Sequence, residues 1–171
     1  YQSTENYPRS LRIDNNTLSS RYHGIYVNNE KGSDNVSITG NKLSRNTNYS
    51  SDGWGLRADH VGGLIEKNEI KNFAGGLYLS GSFDYPATPK VQHNTISNNN
   101  RSTSTSYAGI YLTSYARPLI NHNNLHGNKP VDLRNNTLAS VYSEIDAKYN
   151  YWGTATTTAM NSGGNPKNLS A

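Results

Sequence analysis

Apolar residues recur along this chain in a fixed relation to asparagine. The full phrase places asparagine three residues after an apolar-any-apolar triplet and two residues before another apolar residue. It occurs at residues 11–18 and 36–43, and again at residues 131–138 and 145–152 with their asparagines at Asn136 and Asn150. Weaker copies lie between, with their asparagines at Asn68, Asn94 and Asn123. Up to Asn123 the asparagines lie about 25 to 29 residues apart, a period typical of stacked structural units that cannot bury an apolar face alone.

A second phrase alternates with the first and reads glycine, apolar, outward-facing residue, apolar. It begins at Gly24, Gly55, Gly76 and Gly109. Alternation over so few residues predicts short strands, because successive side chains on a strand point to opposite faces. A helical solenoid would need longer runs with a period of 3.6 residues, and the core phrase of leucine-rich repeats is also missing. We therefore predict an all-β fold, a right-handed parallel β-helix of five to six coils, with the hand taken from the crossover rule.

The recurring asparagine fits one corner of each coil. Asparagine tolerates the left-handed backbone of a tight turn, and stacked side-chain amides can donate and accept hydrogen bonds along a ladder. We predict that one axis aligns Asn16, Asn41, Asn68, Asn94 and Asn123. One inward stack should contain Ile13, Ile38, Ile65, Val91 and Ile120. A second should contain Ile25, Leu56, Leu77 and Ile110.

Several short phrases carry a resemblance to a known family. They are Asn-Thr-Ile, Asn-Asn-Thr-Leu, Gly-Ile-Tyr-Leu and the closing Asp-Ala-Lys-Tyr-Asn-Tyr-Trp-Gly of residues 146–153. Over about residues 10–153 the chain resembles bacterial right-handed parallel β-helix repeat proteins of the pectin-lyase-like superfamily, including its carbohydrate-binding and sugar-hydrolase repeat modules. The resemblance implies the fold. It does not select an activity, because the family spans lyases, hydrolases, epimerases, tailspikes and adhesins.

The repeats define the expected domain organisation. Residues 1–153 should form the β-helix, and Trp152 takes the position that is leucine or isoleucine in earlier coils, where it should plug the end of the core. Residues 154–171 are expected to form an irregular cover or a linker to a missing C-terminal part. The chain opens almost directly on a repeat, without a signal peptide, so we expect it to be part of a longer chain.

Composition agrees with a secreted or cell-surface location. The 171 residues contain no cysteine, only 33% are apolar, and the mean hydropathy is −0.81, as a narrow coil interior allows. No apolar stretch is long enough for a membrane span. The net charge is +4, but the 16 Lys and Arg residues are scattered, so we do not expect a nucleic-acid partner.

One outward column suggests where a ligand could bind. Stacking the glycine-led strands aligns Tyr26, Arg57, Tyr78 and Tyr111, with Asp132 as a fifth member. A neighbouring column contains Asn28, Asp59, Ser80 and Thr113, and Trp54 flanks the second coil. Aromatic and polar side chains in a row are typical of sugar-binding surfaces, which predicts a polysaccharide or surface glycan as partner. The alternative is that the tyrosine ladder stabilises the sheet alone.

Catalysis is the less expected of the two functional hypotheses for this segment. A glycosidase needs two carboxyl groups about 5 to 9.5 Å apart, and the positions stacked on Asp59 carry no carboxylate. Arg57, Asp59 and His60 are weak candidates for a lyase or epimerase site. The five histidines lie in different turns, so we expect no metal and no cofactor. The leading hypothesis is a non-catalytic adhesin, stalk or polysaccharide-binding module, and the alternative is part of a polysaccharide lyase, epimerase or glycoside hydrolase.

Overall fold

Short parallel strands, stacked coil upon coil, make up the protein. The structure is a computed structural model that describes residues 10–33, 35–46, 52–102, 104–138, 144–163 and 169–170. The first sheet contains β1 (Leu11–Asp14), β4 (Val36–Thr39), β7 (Leu64–Glu66), β10 (Lys90–Gln92) and β13 (Leu119–Asn121). The second contains β2 (Thr17–Ser20), β5 (Lys42–Arg45), β8 (Glu69–Lys71), β11 (Thr95–Ser97) and β14 (Asn124–His126). The third contains β3 (Ile25–Ser33), β6 (Trp54–Val61), β9 (Gly75–Gly81), β12 (Ile110–Ser114), β15 (Leu133–Thr137) and β16 (Leu169–Ser170).

Each coil contributes one strand to each sheet, and the strands within a sheet run parallel. The three sheets confirm the predicted parallel β-helix, with about five coils. Both predicted apolar stacks are in register, since Ile38 pairs with Ile65 and Leu56 pairs with Leu77. Most members of these stacks are fully buried, and Ile13 in the first coil is partly buried against the same core. The alternating pattern therefore identified the inward faces of these strands.

An asparagine ladder runs along the corner between the first two sheets. The Asn41 side-chain amide donates to Oδ1 of Asn68 at 2.9 Å, and the backbone N–H of Asn41 donates to the same oxygen at 3.0 Å. The same pair of bonds links Asn68 to Asn94, and equivalent bonds extend the ladder from Asn16 to Asn150. The predicted alignment is confirmed.

The backbone reason given for the asparagine was wrong. The residue with left-handed backbone is the one before each ladder asparagine, with φ between 54° and 66° at Asn15, Gly40, Lys67, His93, His122 and Tyr149. The ladder asparagines themselves have no positive φ. Asparagine is thus required for the two-sided hydrogen bonding of its amide, while the turn is made by its neighbour.

The copy of the phrase at residues 131–138 belongs elsewhere. Leu133 pairs with Ile110 and Asn136 pairs with Thr113, so this segment lies in the third sheet and not at the asparagine corner. Asn136 is accordingly exposed. The chain passes from β14 to β15 through only six residues, and the next ladder asparagine is Asn150.

The last described coil closes on Trp152. Its side chain is 4% exposed and belongs to the core, which confirms its predicted burial. The next segment is more regular than expected, because Thr154–Asn161 forms helix α1 and Leu169–Ser170 pairs with β15. No residue of α1 is buried. The role of residues 154–171 as an end cover or a linker stays a prediction.

Candidate functional site

The outer face of the third sheet carries the predicted column. Register places Tyr26 beside Arg57, Arg57 beside Tyr78, and Tyr78 beside Tyr111. Parallel pairing repeats a position in each coil about 4.8 Å further along, so these four side chains form one continuous row. Tyr26 is 53% exposed, and the other three are half-buried.

Asp132 is not the fifth member of this column. The backbone N–H of Ile110 donates to the Asp132 carbonyl at 2.8 Å, as Leu77 does to Gly109 in the coil before, so Asp132 stands at the position of the leading glycine. Its side chain is buried and accepts a bond of 2.6 Å from the Asn128 amide. The outward position beside Tyr111 belongs to Arg134. The predicted alignment was wrong by two residues because this coil shortens its turn.

Asp132 also ends a second, shorter ladder that the sequence analysis missed. The Asn99 amide donates to Asn128 at 2.9 Å, and Oδ1 of Asn99 accepts the backbone N–H of Phe73 at 3.1 Å. The corner between the second and third sheets therefore uses the same hydrogen bonding over fewer coils. Its only signal was a pair of asparagines, Asn99 and Asn128, that lie 29 residues apart at equivalent positions, and a turn of variable length separates each from the next strand.

The members of the column pack against one another through the faces of their rings. The guanidinium carbon of Arg57 lies 5.1 Å from the ring centre of Tyr26 and 4.8 Å from that of Tyr78, a cation–π arrangement on both sides. The rings of Tyr78 and Tyr111 are parallel, with centres 5.7 Å apart. The stack therefore stabilises the sheet, as the alternative interpretation proposed. The column also lies on an outer face, so both interpretations describe the same residues.

Trp54 joins the column from its side. Its ring centre lies 5.2 Å from that of Tyr78, 5.2 Å from that of Tyr107 and 5.8 Å from that of Tyr111. Trp54 is 7% exposed, and a Cβ at Gly75 in the neighbouring strand would overlap its indole. The glycine thus makes room for the indole. Tyr107 was not predicted, because it lies in the long turn before β12 and outside the repeated phrases.

A polar column runs beside the aromatic one. It consists of Asn28, Asp59, Ser80, Thr113 and Asn136. Nε and Nη2 of Arg57 each lie 2.9 Å from Oδ2 of Asp59. The Asp59 side chain is only 7% exposed, against 35% for Arg57, and its Oδ1 has no hydrogen-bond partner among the described residues. The two columns together form a strip of aromatic rings, amides and hydroxyls, called here the outer strip.

Burial changes the proton affinity of two side chains in or beside the strip. It lowers the pKa of His23, and the positive charge of Arg57 lowers it further. Nδ1 of His23 accepts the backbone N–H of Trp54 at 3.1 Å, which ties the imidazole to the start of β6. Burial also raises the pKa of Tyr78, whose side chain is hydrogen-bonded to Ser80. Both groups are uncharged near neutral pH.

The three weak catalytic candidates are neighbours, but they do not form an obvious acid–base site. Asp59 is buried and bonded to Arg57, which disfavours its use as a base that substrate can reach. His60 has a left-handed backbone, with φ 57°, and its Nδ1 lies 3.2 Å from the Asn28 side-chain oxygen. Within the described part of the chain no group of three or more His, Cys, Asp or Glu side chains could hold a metal ion.

The comparison with protein families agrees with this architecture. The model of the family described as "Right handed beta helix region" matches residues 3–160. The chain therefore belongs to this family, and membership of the pectin-lyase-like superfamily is consistent with it. No curated protein and no solved structure matches the chain. No helix in the described segments is both long enough and apolar enough to cross a membrane.

Proposed function

We propose that this chain is a non-catalytic β-helix module of a secreted or cell-surface protein, and that its outer strip binds a polysaccharide or surface glycan. One observation carries the proposal. Tyr26, Tyr78 and Tyr111 stand in register on an outer face, next to a row of amide and hydroxyl side chains. Saccharides present apolar C–H groups and hydroxyls together, and a surface that pairs aromatic and polar groups suits both.

The ring stacking determines which parts of the aromatic side chains a ligand can contact. The faces of Tyr78 are occupied by Arg57 and Tyr111, so a ligand meets ring edges and polar tips instead of an open ring face. Tyrosine offers an apolar body and a hydroxyl tip, which supports contacts of both kinds. Because the internal contacts hold the rings in place, little side-chain entropy is lost on binding. The stack that stabilises the sheet also preorganises the surface.

Polysaccharide cleavage by Arg57, Asp59 and His60 is the alternative function, and the geometry favours it less. A base must be able to reach the proton that it removes. Asp59 is 5% exposed and held by Arg57, and the positions beside it in the column are Asn28 and Ser80. The arrangement supports a positioned ion pair within a binding surface better than a proton-transferring group.

A secreted or cell-surface location is part of the proposal. A chain without cysteine has no thiol that an oxidising environment could modify, and its stacked hydrogen bonds supply stability without disulfides. An adhesin or stalk is consistent with the same architecture, because a solenoid extends with each added coil.

A glycan array with purified protein tests the proposal. We expect the wild type to bind at least one polysaccharide and Tyr111→Ala to weaken that binding about tenfold, the effect of losing roughly 1.4 kcal/mol. Tyr149→Ala is the matched control, because Tyr149 is an exposed, stacked tyrosine on a different corner. No binding by the wild type would remove the proposal. An equal loss in both variants would place the binding surface outside the outer strip.

A further inference from the structure

The Arg57–Asp59 pair determines the charge of the outer strip between Tyr26 and Tyr111. We infer that this pair makes the strip specific for neutral polysaccharides, and that Asp59 is the residue that selects against acidic ones. The inference rests on the proposed function, and it names the chemical class of the ligand. Arg57 alone would suggest a site for uronates or other acidic sugars. Its partner reverses that expectation.

The geometry of the pair leaves little free positive charge for a ligand. Two nitrogens of Arg57 converge on one oxygen of Asp59, each at 2.9 Å, and such charge-assisted bonds are the stronger kind. Asp59 is nine-tenths buried, so its negative charge is weakly screened by solvent. A carboxylate that approaches Arg57 from outside therefore also meets the field of Asp59. Like charges brought together in this way disfavour a wrong partner.

The rest of the strip between Tyr26 and Tyr111 adds no compensating charge. The polar column contributes Asn28, Ser80 and Thr113, which are uncharged. His23 beside it stays neutral because burial and Arg57 lower its pKa, and Tyr78 keeps its proton because burial raises its pKa. With Arg57 and Asp59 cancelling, this part of the strip has no formal net charge.

Charged groups border this neutral stretch. Arg134 follows Tyr111 as the next member of the same column, so the outer strip becomes positive one coil further on. On the side of Tyr107 the charges are mixed, with Asp52, Arg45 and Arg101 in electrostatic contact with that tyrosine or with one another. The neutral stretch spans four coils, from β3 to β12, which is long enough for several sugar units at a coil spacing of about 4.8 Å.

These features describe a ligand with hydroxyls and apolar C–H groups but without acidic groups. Amide and hydroxyl side chains of the polar column would hydrogen-bond sugar hydroxyls. The aromatic column would contact the C–H groups. Such a surface should bind a neutral polysaccharide with little dependence on salt.

Asp59→Asn tests the role of the carboxylate. Asparagine is nearly isosteric, and Asn28 occupies the same column one coil away, so the change removes the charge while keeping the shape. The freed guanidinium should raise the ratio of affinity for an acidic polymer to affinity for its neutral counterpart about tenfold. Asp14→Asn is the matched control. It breaks a similar pair, Arg12–Asp14 at 2.8 Å on the first sheet, and changes the net charge equally.

The measurement uses polymer pairs that share a backbone and differ in charge. Hydroxyethyl cellulose is compared with carboxymethyl cellulose, and methyl-esterified polygalacturonate with free polygalacturonate, by affinity electrophoresis at low and high salt. We expect the wild type to prefer the neutral member, Asp59→Asn to shift toward the acidic member in a salt-sensitive way, and Asp14→Asn to match the wild type. Thermal melting shows which variants are folded. If Asp59→Asn does not fold, Asp59→Ser replaces it in the test, because serine occupies the next position of the same column at Ser80.

The possible results separate the inference from the proposed function. If the wild type prefers the acidic polymers, and Tyr111→Ala weakens that binding, glycan binding stands and the neutral specificity is wrong. If folded Asp59→Asn and Asp59→Ser show no shift, or Asp14→Asn shifts equally, Asp59 is not the selecting residue. Absence of binding to all four polymers and to the glycan array would overturn both proposals.

Discussion

The asparagine ladder and the outward column of the third sheet both arise because successive coils stack in register. They differ in the residue types that occupy the stacked positions. In the ladder every position from Asn16 to Asn150 is asparagine. In the column the residue changes from coil to coil, with Tyr26, Arg57, Tyr78, Tyr111 and Arg134 in succession. Both are stacks at strand spacing, so the backbone alone does not explain the difference.

The difference follows from burial and from hydrogen bonding. Each buried ladder amide is both acceptor for one neighbour and donor to the next, so replacing one member leaves polar groups unpaired on both sides. In the column, side chains are partly exposed, and a ring can stack on another ring or on a guanidinium. Repetition of one residue type is enforced inside the corner. On the outer face the chain is free to vary, and there it can acquire binding specificity.

The interior should show the largest effects on stability, beginning with the core at its C-terminal end. Trp152→Ala should lower the free energy of unfolding by about 3–5 kcal/mol, because it removes a large buried side chain. Urea denaturation measures this, with Met160→Ala on the exposed surface of α1 as control, expected within about 0.5 kcal/mol. Unchanged stability of Trp152→Ala would contradict its burial.

The ladder itself is tested by Asn68→Ala. This change leaves the amide and the backbone N–H of Asn41 without their acceptor in the interior, so unfolding should become easier by about 2–3 kcal/mol. Asn136→Ala is the matched control, since Asn136 belongs to a similar sequence phrase but is exposed. Equal effects in the two variants would mean that the ladder contributes no more than a surface residue. Chemical denaturation of both proteins decides the question.

The outer column should contribute less to stability. Tyr111→Ala removes the parallel contact with Tyr78 and the tilted contact with Trp54, and should reduce the free energy of unfolding by about 1 kcal/mol. A loss as large as that of Asn68→Ala would contradict the division between a structural corner and an outer face that is proposed to bind a ligand. Differential scanning calorimetry on the two variants in parallel makes this comparison.

The smallest expected effect is the pH dependence of stability through His23. Its pKa is lowered in the folded state, so below the ordinary histidine value the unfolded chain binds a proton that the folded one does not. Stability from this group is full above about pH 6.5 and falls as the pH decreases. The difference in melting temperature between pH 7.5 and pH 5.5 should be smaller in His23→Gln than in the wild type. If the two proteins show the same difference in melting temperature, His23 does not contribute to the pH dependence of stability.

The alignment of the third sheet shows how far sequence reasoning reaches. The glycine-led phrase correctly placed Tyr26, Arg57, Tyr78 and Tyr111 in one row, because alternation in a strand is a local property. It failed at Asp132, where a shortened turn moved the register by two residues and brought Arg134 into the row. Turn length is not encoded in the period of the strands, and the bonds of Asp132 to Asn128 depend on how the coil closes.

The sequence by itself determined the solenoid, its apolar stacks and its asparagine corner, because these arise from short phrases that repeat once per coil. Only the tertiary structure decided which residue carries the left-handed backbone, since this depends on how the corner turns. It also decided that Tyr107 is the loop residue that contacts Trp54. It also decided that Arg57 and Asp59 pair, with the carboxylate buried between coils. Charge cancellation and burial depend on the packing of neighbouring coils, which no single repeat contains.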